Sequence, residues 1–80
     1  MQLVATFFNH HGAVCFARAL CARGMAARPM PVPRKLSSSC GTCVQFEAEE
    51  FAPYISDDVE QVFQVTGEGH VLLYSGHHEE

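Results

Sequence analysis

LVATFFNHHGAVCFARALCARG, residues 3–24, is the stretch that decides the fold. Its first part, residues 3–8, is apolar and rich in β-forming residues, which predicts a buried strand. Asn9 is a suitable N-cap for a helix that we expect over residues 11–23, and Gly24 is placed to end that helix. The apolar residues that recur at helical spacing are Ala13, Phe16, Ala17 and Leu20, and Val14 and Cys21 widen the stripe. A strand, a helix and then extended sequence form the βαβ pattern.

Two strands are predicted after this helix. Residues 25–33 carry proline at positions 29, 31 and 33. Because proline has no backbone N–H, this segment cannot be a central strand, but it can be an edge strand whose prolines face away from the ladder. Residues 43–49 place Val44, Phe46 and Ala48 on one face and polar residues on the other, which is typical of a half-buried strand. The residues between them, 34–42, are predicted to form a loop.

The C-terminal third is predicted to complete the sheet. Residues 50–56 have helical spacing, but Pro53 is tolerated only in a first helical turn, so we expect a short helix. Residues 59–66 and 70–75 are rich in β-forming residues and predict two strands. The glycines of residues 67–69 mark a turn that would join these strands as a hairpin.

The order of elements predicts the fold class. A β-α-β-β-α-β chain with a further C-terminal strand indicates an α+β two-layer sandwich, ferredoxin-like or similar. Eighty residues allow one domain, which we place at residues 1–76, ahead of a flexible tail at residues 77–80. Because 48% of the residues are hydrophobic, the chain can build a single small core.

Charge and hydropathy narrow the classes of partner. No apolar run approaches the ~20 residues that span a bilayer, and no basic segment precedes the apolar start. We therefore expect a cytoplasmic protein without a membrane partner. The formal net charge of -4 argues against a general affinity for nucleic acid. All five basic residues precede position 36 and all nine acids follow position 46. This segregation either forms a bipolar surface that orients a charged partner or gives each half of the chain an ordinary solvated face.

The chain contains four cysteines. Cytosolic cysteines are usually reduced, metal-bound or catalytic rather than joined in disulfides. Cys15 and Cys21 fall inside the helical pattern and are predicted to be core residues. Cys40 and Cys43 end the segment PVPRKLSSSCGTC, residues 31–43, and are the pair that the sequence singles out for chemistry.

The residues around Cys40 predict a reactive thiol. Arg34 and Lys35 precede it, and nearby cations favour the thiolate form of a cysteine. Ser39 and Gly41 flank it, so a hydroxyl and an amide are available as hydrogen-bond donors to a bound sulfur. Gly41 also gives the loop conformational freedom. We therefore expect Cys40 to be exposed and supported by positive charge.

The same segment resembles the signature of a known family. That signature is a proline-rich basic run, here Pro31 to Arg34, followed by serines and then Cys40-Gly41, and the helix-ending Gly24 matches it upstream. On these residues the chain resembles, over about residues 5–65, small bacterial domains named Se/S carrier protein-like. The resemblance implies a Cys40 that takes sulfur or selenium from a donor such as a cysteine desulfurase. Cys40 would pass it as a persulfide to an acceptor that the sequence does not identify.

The role of Cys43, the binding of a metal and the function of the whole chain stay open at this point. Cys43 is either a resolving thiol for Cys40 or a buried strand residue on the side opposite Val44. A single Cys-x-x-Cys supplies two of the four ligands of a zinc site and no histidine has finger spacing, so we predict no metal and no cofactor unless two chains share a site. The chain carries no hydrolase or phosphate-binding motif, which favours a carrier over a turnover enzyme. The alternative function is an interaction module whose edge strand, residues 25–33, docks a partner or a second copy as a homodimer.

Overall fold

A computed structural model describes residues 1–36 and 38–76, so that Ser37 and the predicted tail at residues 77–80 lie outside the described residues. The helix and strands are β1 (Gln2–Phe7), α1 (His10–Ala22), β2 (Ala27–Pro31), β3 (Thr42–Glu47), β4 (Val59–Thr66) and β5 (Gly69–Ser75). The five strands form one antiparallel sheet in the order β2-β3-β1-β4-β5. The helix packs on one face of this sheet, which gives two layers.

The strand order confirms the predicted α+β class. β1 is central and pairs with β3 on one side and β4 on the other, as in a β-α-β-β-α-β sandwich. β5 folds back on β4 as the expected hairpin. The short helix expected over residues 50–56 is only a single 3₁₀ turn, Ala52–Tyr54. Pro53 has no N–H to continue a helical ladder, and the backbone returns to an extended conformation at Ile55.

The ends of α1 follow the predicted capping residues. The Asn9 side chain accepts a hydrogen bond of 2.7 Å from the Gly12 N–H, which satisfies one of the free donors of the first turn. Gly24 has a φ of 80°, the left-handed conformation that ends a helix at little steric cost to glycine. The prediction that Cys15 and Cys21 are core residues is wrong. Both are exposed, because the buried stripe of the helix is centred on small residues and Leu20 and is too narrow to include them.

β2 is an edge strand, as its prolines predicted. The Val32 N–H donates to the Gly41 carbonyl at 3.1 Å, so the backbone at position 32 faces β3. Because successive residues of a strand alternate, the backbone nitrogens of Pro29 and Pro31 face away from β3, where no ladder hydrogen bond is lost. The sheet therefore has one edge that is closed to further pairing by its own prolines.

Aromatic packing joins the two layers. The Phe16 ring on α1 lies 5.0 Å from the Phe7 ring of β1 and 5.3 Å from the Phe46 ring of β3, measured between ring centroids. Tilted contacts of this kind add to the hydrophobic free energy of burying the rings. Val44 and Leu20 are also buried in this cluster. Within the described residues, no helix has the length and apolar character needed to cross a membrane.

Candidate functional site

The loop between β2 and β3 is tied to the opposite half of the sheet. The Ser38 hydroxyl donates to the Phe7 carbonyl at the end of β1, at 3.2 Å. The Ser39 amide and hydroxyl donate to the two carboxylate oxygens of Glu60, at 3.1 and 3.0 Å. The loop therefore starts and ends at β2 and β3, yet its middle is held by β1 and β4. These anchors fix the segment that carries Cys40.

Cys40 is half-buried at this end of the sheet and packs against the core cluster. Its amide donates to the Ser38 hydroxyl at 3.4 Å, and its thiol lies 3.5 Å from the Thr42 carbonyl, to which it donates. Gly41 has a φ of 75°, which turns the chain from the loop into β3. Cys40 is thus neither a fully exposed loop thiol nor a core residue, because part of it remains accessible while backbone and side-chain contacts hold it.

Cys43 lies in a different environment although it is only three residues away. Its side chain has no solvent exposure, and its thiol donates to the Pro31 carbonyl at 3.7 Å. Burial raises the pKa of Cys43, and negative charge on the neighbouring Cys40 raises that pKa further. At neutral pH Cys43 is therefore protonated.

A buried hydroxyl accompanies Cys43. Thr6 lies directly opposite Cys43 in the β1–β3 register, so the two side chains share one face of the sheet. Thr6 is fully buried, and its Oγ1 has no hydrogen-bond partner among the described residues. A hydroxyl in this position is available to donate a hydrogen bond to a sulfur anion at Cys43.

Arg34 and Lys35 are exposed on the same loop. In residues 1–36 and 38–76, neither side chain makes a hydrogen bond or an ion pair. Their contribution to the charge state of Cys40 stays a prediction. Two other loop residues were predicted to support Cys40. The amide and hydroxyl of Ser39 both donate to Glu60 instead, and Gly41 forms the turn into β3.

Sequence reasoning missed two residues at this site. Glu60 anchors the loop from β4, 21 residues after Ser39, and no local pattern joins the two positions. His10 begins α1, and its Nδ1 lies 3.2 Å from the Thr42 hydroxyl, which connects the start of the helix to the residue after the Cys40-Gly41 turn. The βαβ pattern brings the start of a helix next to the end of β1, so the position of His10 could have been inferred from topology.

The described residues contain no group of three or more histidine, cysteine, aspartate or glutamate side chains placed to hold a metal ion. Cys40 and Cys43 differ in burial, and as a pair they would supply two ligands at most. A site shared between two chains would need the other two ligands from elsewhere.

Comparisons with known proteins add one result. Neither the curated proteins nor the solved structures contain a match to this chain. A family model matches residues 2–67, which include β1 to β4, the whole loop with Cys40 and Cys43, and the anchor Glu60. The chain therefore belongs to the family described as "Putative Se/S carrier protein-like".

Proposed function

We propose that this chain carries sulfur or selenium on Cys40, as a persulfide or its selenium analogue, in the cytoplasm. The observation that supports the proposal is the contrast between the two thiols of the Cys-x-x-Cys segment. Cys40 is half-buried on an anchored loop and keeps part of its surface open to solvent, whereas Cys43 is fully buried with a raised pKa. A carrier needs one thiol that a donor protein can reach and whose position is fixed, and Cys40 meets both requirements.

The loading step needs only a thiol and a donor persulfide. The Cys40 thiolate attacks the outer sulfur of a persulfide on a donor such as a cysteine desulfurase. A sulfur–sulfur bond forms at Cys40 while the donor's sulfur–sulfur bond breaks, and the donor leaves as a thiolate. The Gly41 amide supplies a hydrogen bond to the transferred sulfur, and Arg34 and Lys35 supply positive charge near it. Ser39 acts by holding the loop on Glu60.

Cys43 fits the role of a resolving thiol that acts slowly at neutral pH. Its thiolate attacks the inner sulfur of the Cys40 persulfide, which gives a Cys40–Cys43 disulfide and releases hydrosulfide. An external dithiol would reduce that disulfide. Because burial raises the pKa of Cys43, little thiolate is present near pH 7 and the persulfide survives long enough to reach an acceptor.

The loading experiment must account for the exposure of Cys15 and Cys21, since both can pick up sulfur without any role in transport. The chain carrying Cys15→Ser and Cys21→Ser is incubated with a cysteine desulfurase and cysteine, and peptide mass spectrometry locates the added sulfur. We expect one sulfur atom on Cys40. Adding Cys40→Ser should abolish the adduct, whereas adding Cys43→Ser should preserve it and suppress hydrosulfide release. An unmodified Cys40, or an equal adduct in the Cys40→Ser variant, would contradict the proposal.

A second candidate function is self-association through a sheet edge. β5 forms the outer edge of the sheet, with Val71 and Leu72 49% and 50% exposed, and it contains neither proline nor a charged residue. Edge strands are normally protected by such residues, as β2 is by Pro29 and Pro31. Each copy of the chain has a net charge of -4, so two copies repel each other. The repulsion is smallest if they meet through β5, which carries no aspartate, glutamate, lysine or arginine. We therefore place a homodimer contact at β5, as an antiparallel β5–β5 pair about a two-fold axis.

Light scattering coupled to size exclusion tests this contact. We expect a dimer, and Leu72→Lys should convert it to a monomer because it places two like charges across the axis. The matched control is Glu47→Lys, which puts the same side chain at an exposed position on β3, away from this edge. A monomeric wild-type chain, or an equal response to both substitutions, would rule the contact out.

A further inference from the structure

Outside the Cys40 site, the thiol of Cys15 lies in contact with the imidazole of His11. On α1 the Cys15 sulfur is 3.4 Å from Nε2 of His11, one helical turn away, and both side chains are exposed. An imidazole in contact with a thiol can accept its proton and stabilise the resulting thiolate as an ion pair. The proposed carrier function uses neither residue.

The other exposed cysteine of the same helix provides a comparison. The Cys21 thiol donates to the Ala27 carbonyl at 3.6 Å. A carbonyl can accept a hydrogen bond from the thiol, but unlike an imidazole it does not act as a base toward it. Cys15 and Cys21 therefore share a helix and an exposed setting but differ in the chemistry of their partner.

Cys15 also lies at the edge of a groove of about 300 Å³ between α1 and the 3₁₀ turn. Arg23 and Tyr54 line the same groove, and the Arg23 guanidinium carbon lies 5.5 Å from the centroid of the Tyr54 ring. Arg23 makes no ion pair among the described residues, so its N–H groups remain available to a carboxylate. Cys15 and Arg23 are eight positions apart, which is ~12 Å along a helix.

From this arrangement we propose that Cys15, His11 and Arg23 form a thiol–disulfide exchange site for small disulfides that carry carboxylates, such as glutathione disulfide. His11 takes the proton of Cys15, and the thiolate attacks one sulfur of the bound disulfide. The Cys15–sulfur bond forms as the disulfide bond breaks, and the leaving thiolate takes the proton from His11 or from water. Arg23 holds a carboxylate of the half that stays attached. The product is a mixed disulfide at Cys15, a site distinct from the proposed carrier thiol.

The test measures second-order rates of mixed-disulfide formation at each cysteine of the wild-type chain by peptide mass spectrometry, with glutathione disulfide as the probe at pH 7. We expect Cys15 to react at least tenfold faster than Cys21. His11→Gln should lower the Cys15 rate to that of Cys21 and leave Cys21 unchanged. Arg23→Gln should lower the rate with glutathione disulfide but not with cystamine, which has the same disulfide and no carboxylate.

A pH profile separates proton transfer from a structural effect of the His11 substitution. The other charged or titratable groups near Cys15 are Arg18 on the helix and Asp58, Tyr54 and Arg23 of the groove. If His11 removes the proton, the rate advantage of the wild-type Cys15 over His11→Gln is largest near neutral pH. It disappears above about pH 9.5, where thiols ionise without assistance. Equal rates at Cys15 and Cys21, or an advantage that does not change with pH, would overturn the proposal. Both outcomes are independent of sulfur loading on Cys40.

Discussion

Removal of the Glu60 carboxylate should release the loop that carries Cys40. Glu60 accepts two hydrogen bonds from Ser39, one from its amide and one from its hydroxyl. A hydrogen bond of this kind contributes a net ~0.5–1 kcal/mol when it is partly exposed to water. Glu60→Ala therefore lowers the free energy of loop opening by about 1–2 kcal/mol, which raises the open population about five- to thirtyfold.

Hydrogen exchange of the Cys40 amide measures this opening. That amide donates to the Ser38 hydroxyl and not to Glu60, so its exchange reports the opening of the loop and not the loss of its own acceptor. We expect its exchange in Glu60→Ala to be five- to thirtyfold faster than in the wild type, while the amides of β1 exchange at unchanged rates. The accessible fraction of Cys40 should rise together with this exchange, and alkylation of Cys40 should become faster.

The control for this experiment is Glu47→Ala. Glu47 is an exposed glutamate on β3, and its side chain makes no hydrogen bond or ion pair in the described part of the chain. The substitution removes the same charge from the same sheet without touching the loop. If Cys40 exchange in Glu60→Ala stays within twofold of the wild type, or if Glu47→Ala accelerates it equally, Glu60 does not anchor the loop and the account of how Cys40 is held is refuted.

Three further predictions concern the loop, the buried thiol and the helix. Gly41→Ala should destabilise the chain by ~1 kcal/mol in a denaturant melt, because its φ of 75° is strained for alanine, whereas Gly67→Ala, which meets no atom within 4 Å and has no positive φ, should change it much less. The free energy of unfolding should fall above about pH 8.5, by up to ~1.4 kcal/mol per pH unit, since the unfolded chain ionises the Cys43 thiol more readily than the folded one. Cys43→Val should reduce that slope in melts from pH 7 to 10. Asn9→Ala should cost ~1 kcal/mol and reduce helix content by circular dichroism, because the Gly12 amide loses its acceptor.

The sequence predicted an element correctly where a single local property, such as apolar alternation or the missing N–H of proline, determined its place in the fold. The alternation of apolar residues placed Val44 and Phe46 on the core side of β3, and both are buried. The prolines of residues 25–33 excluded a central strand and allowed an edge strand, and β2 is an edge strand. Cys15 was predicted to be buried but is exposed. Helical spacing gives the direction of a side chain, but it does not give the width of the protein surface that packs against the helix. That width depends on what packs against α1, which is a tertiary property.

The candidate site was only partly predictable for a related reason. Cys40 was identified from its neighbours in the chain, but the groups that hold it come from other strands. The contact between Ser39 and Glu60 depends on the pairing of β1 with β4, whose register shifts near the end of β1. A shift of one residue in a strand turns every following side chain to the other face. No pattern within either segment specifies that shift, so the anchor could be found only in the folded chain.

The difference between the two thiols follows from where β3 begins. The strand starts at Thr42, so that Cys40 precedes the ladder and Cys43 is its second residue. Inside the strand a side chain must point to one face of the sheet, and at Cys43 that face is closed, since Thr6 beside it is also fully buried. Before the strand no such constraint applies, and the Gly41 turn leaves Cys40 partly open to solvent. A Cys-x-x-Cys segment that crosses the start of a strand therefore yields one accessible and one buried thiol. Such a pair suits a carrier whose cargo must be stable near neutral pH better than a fast dithiol oxidant, which needs both sulfurs within reach.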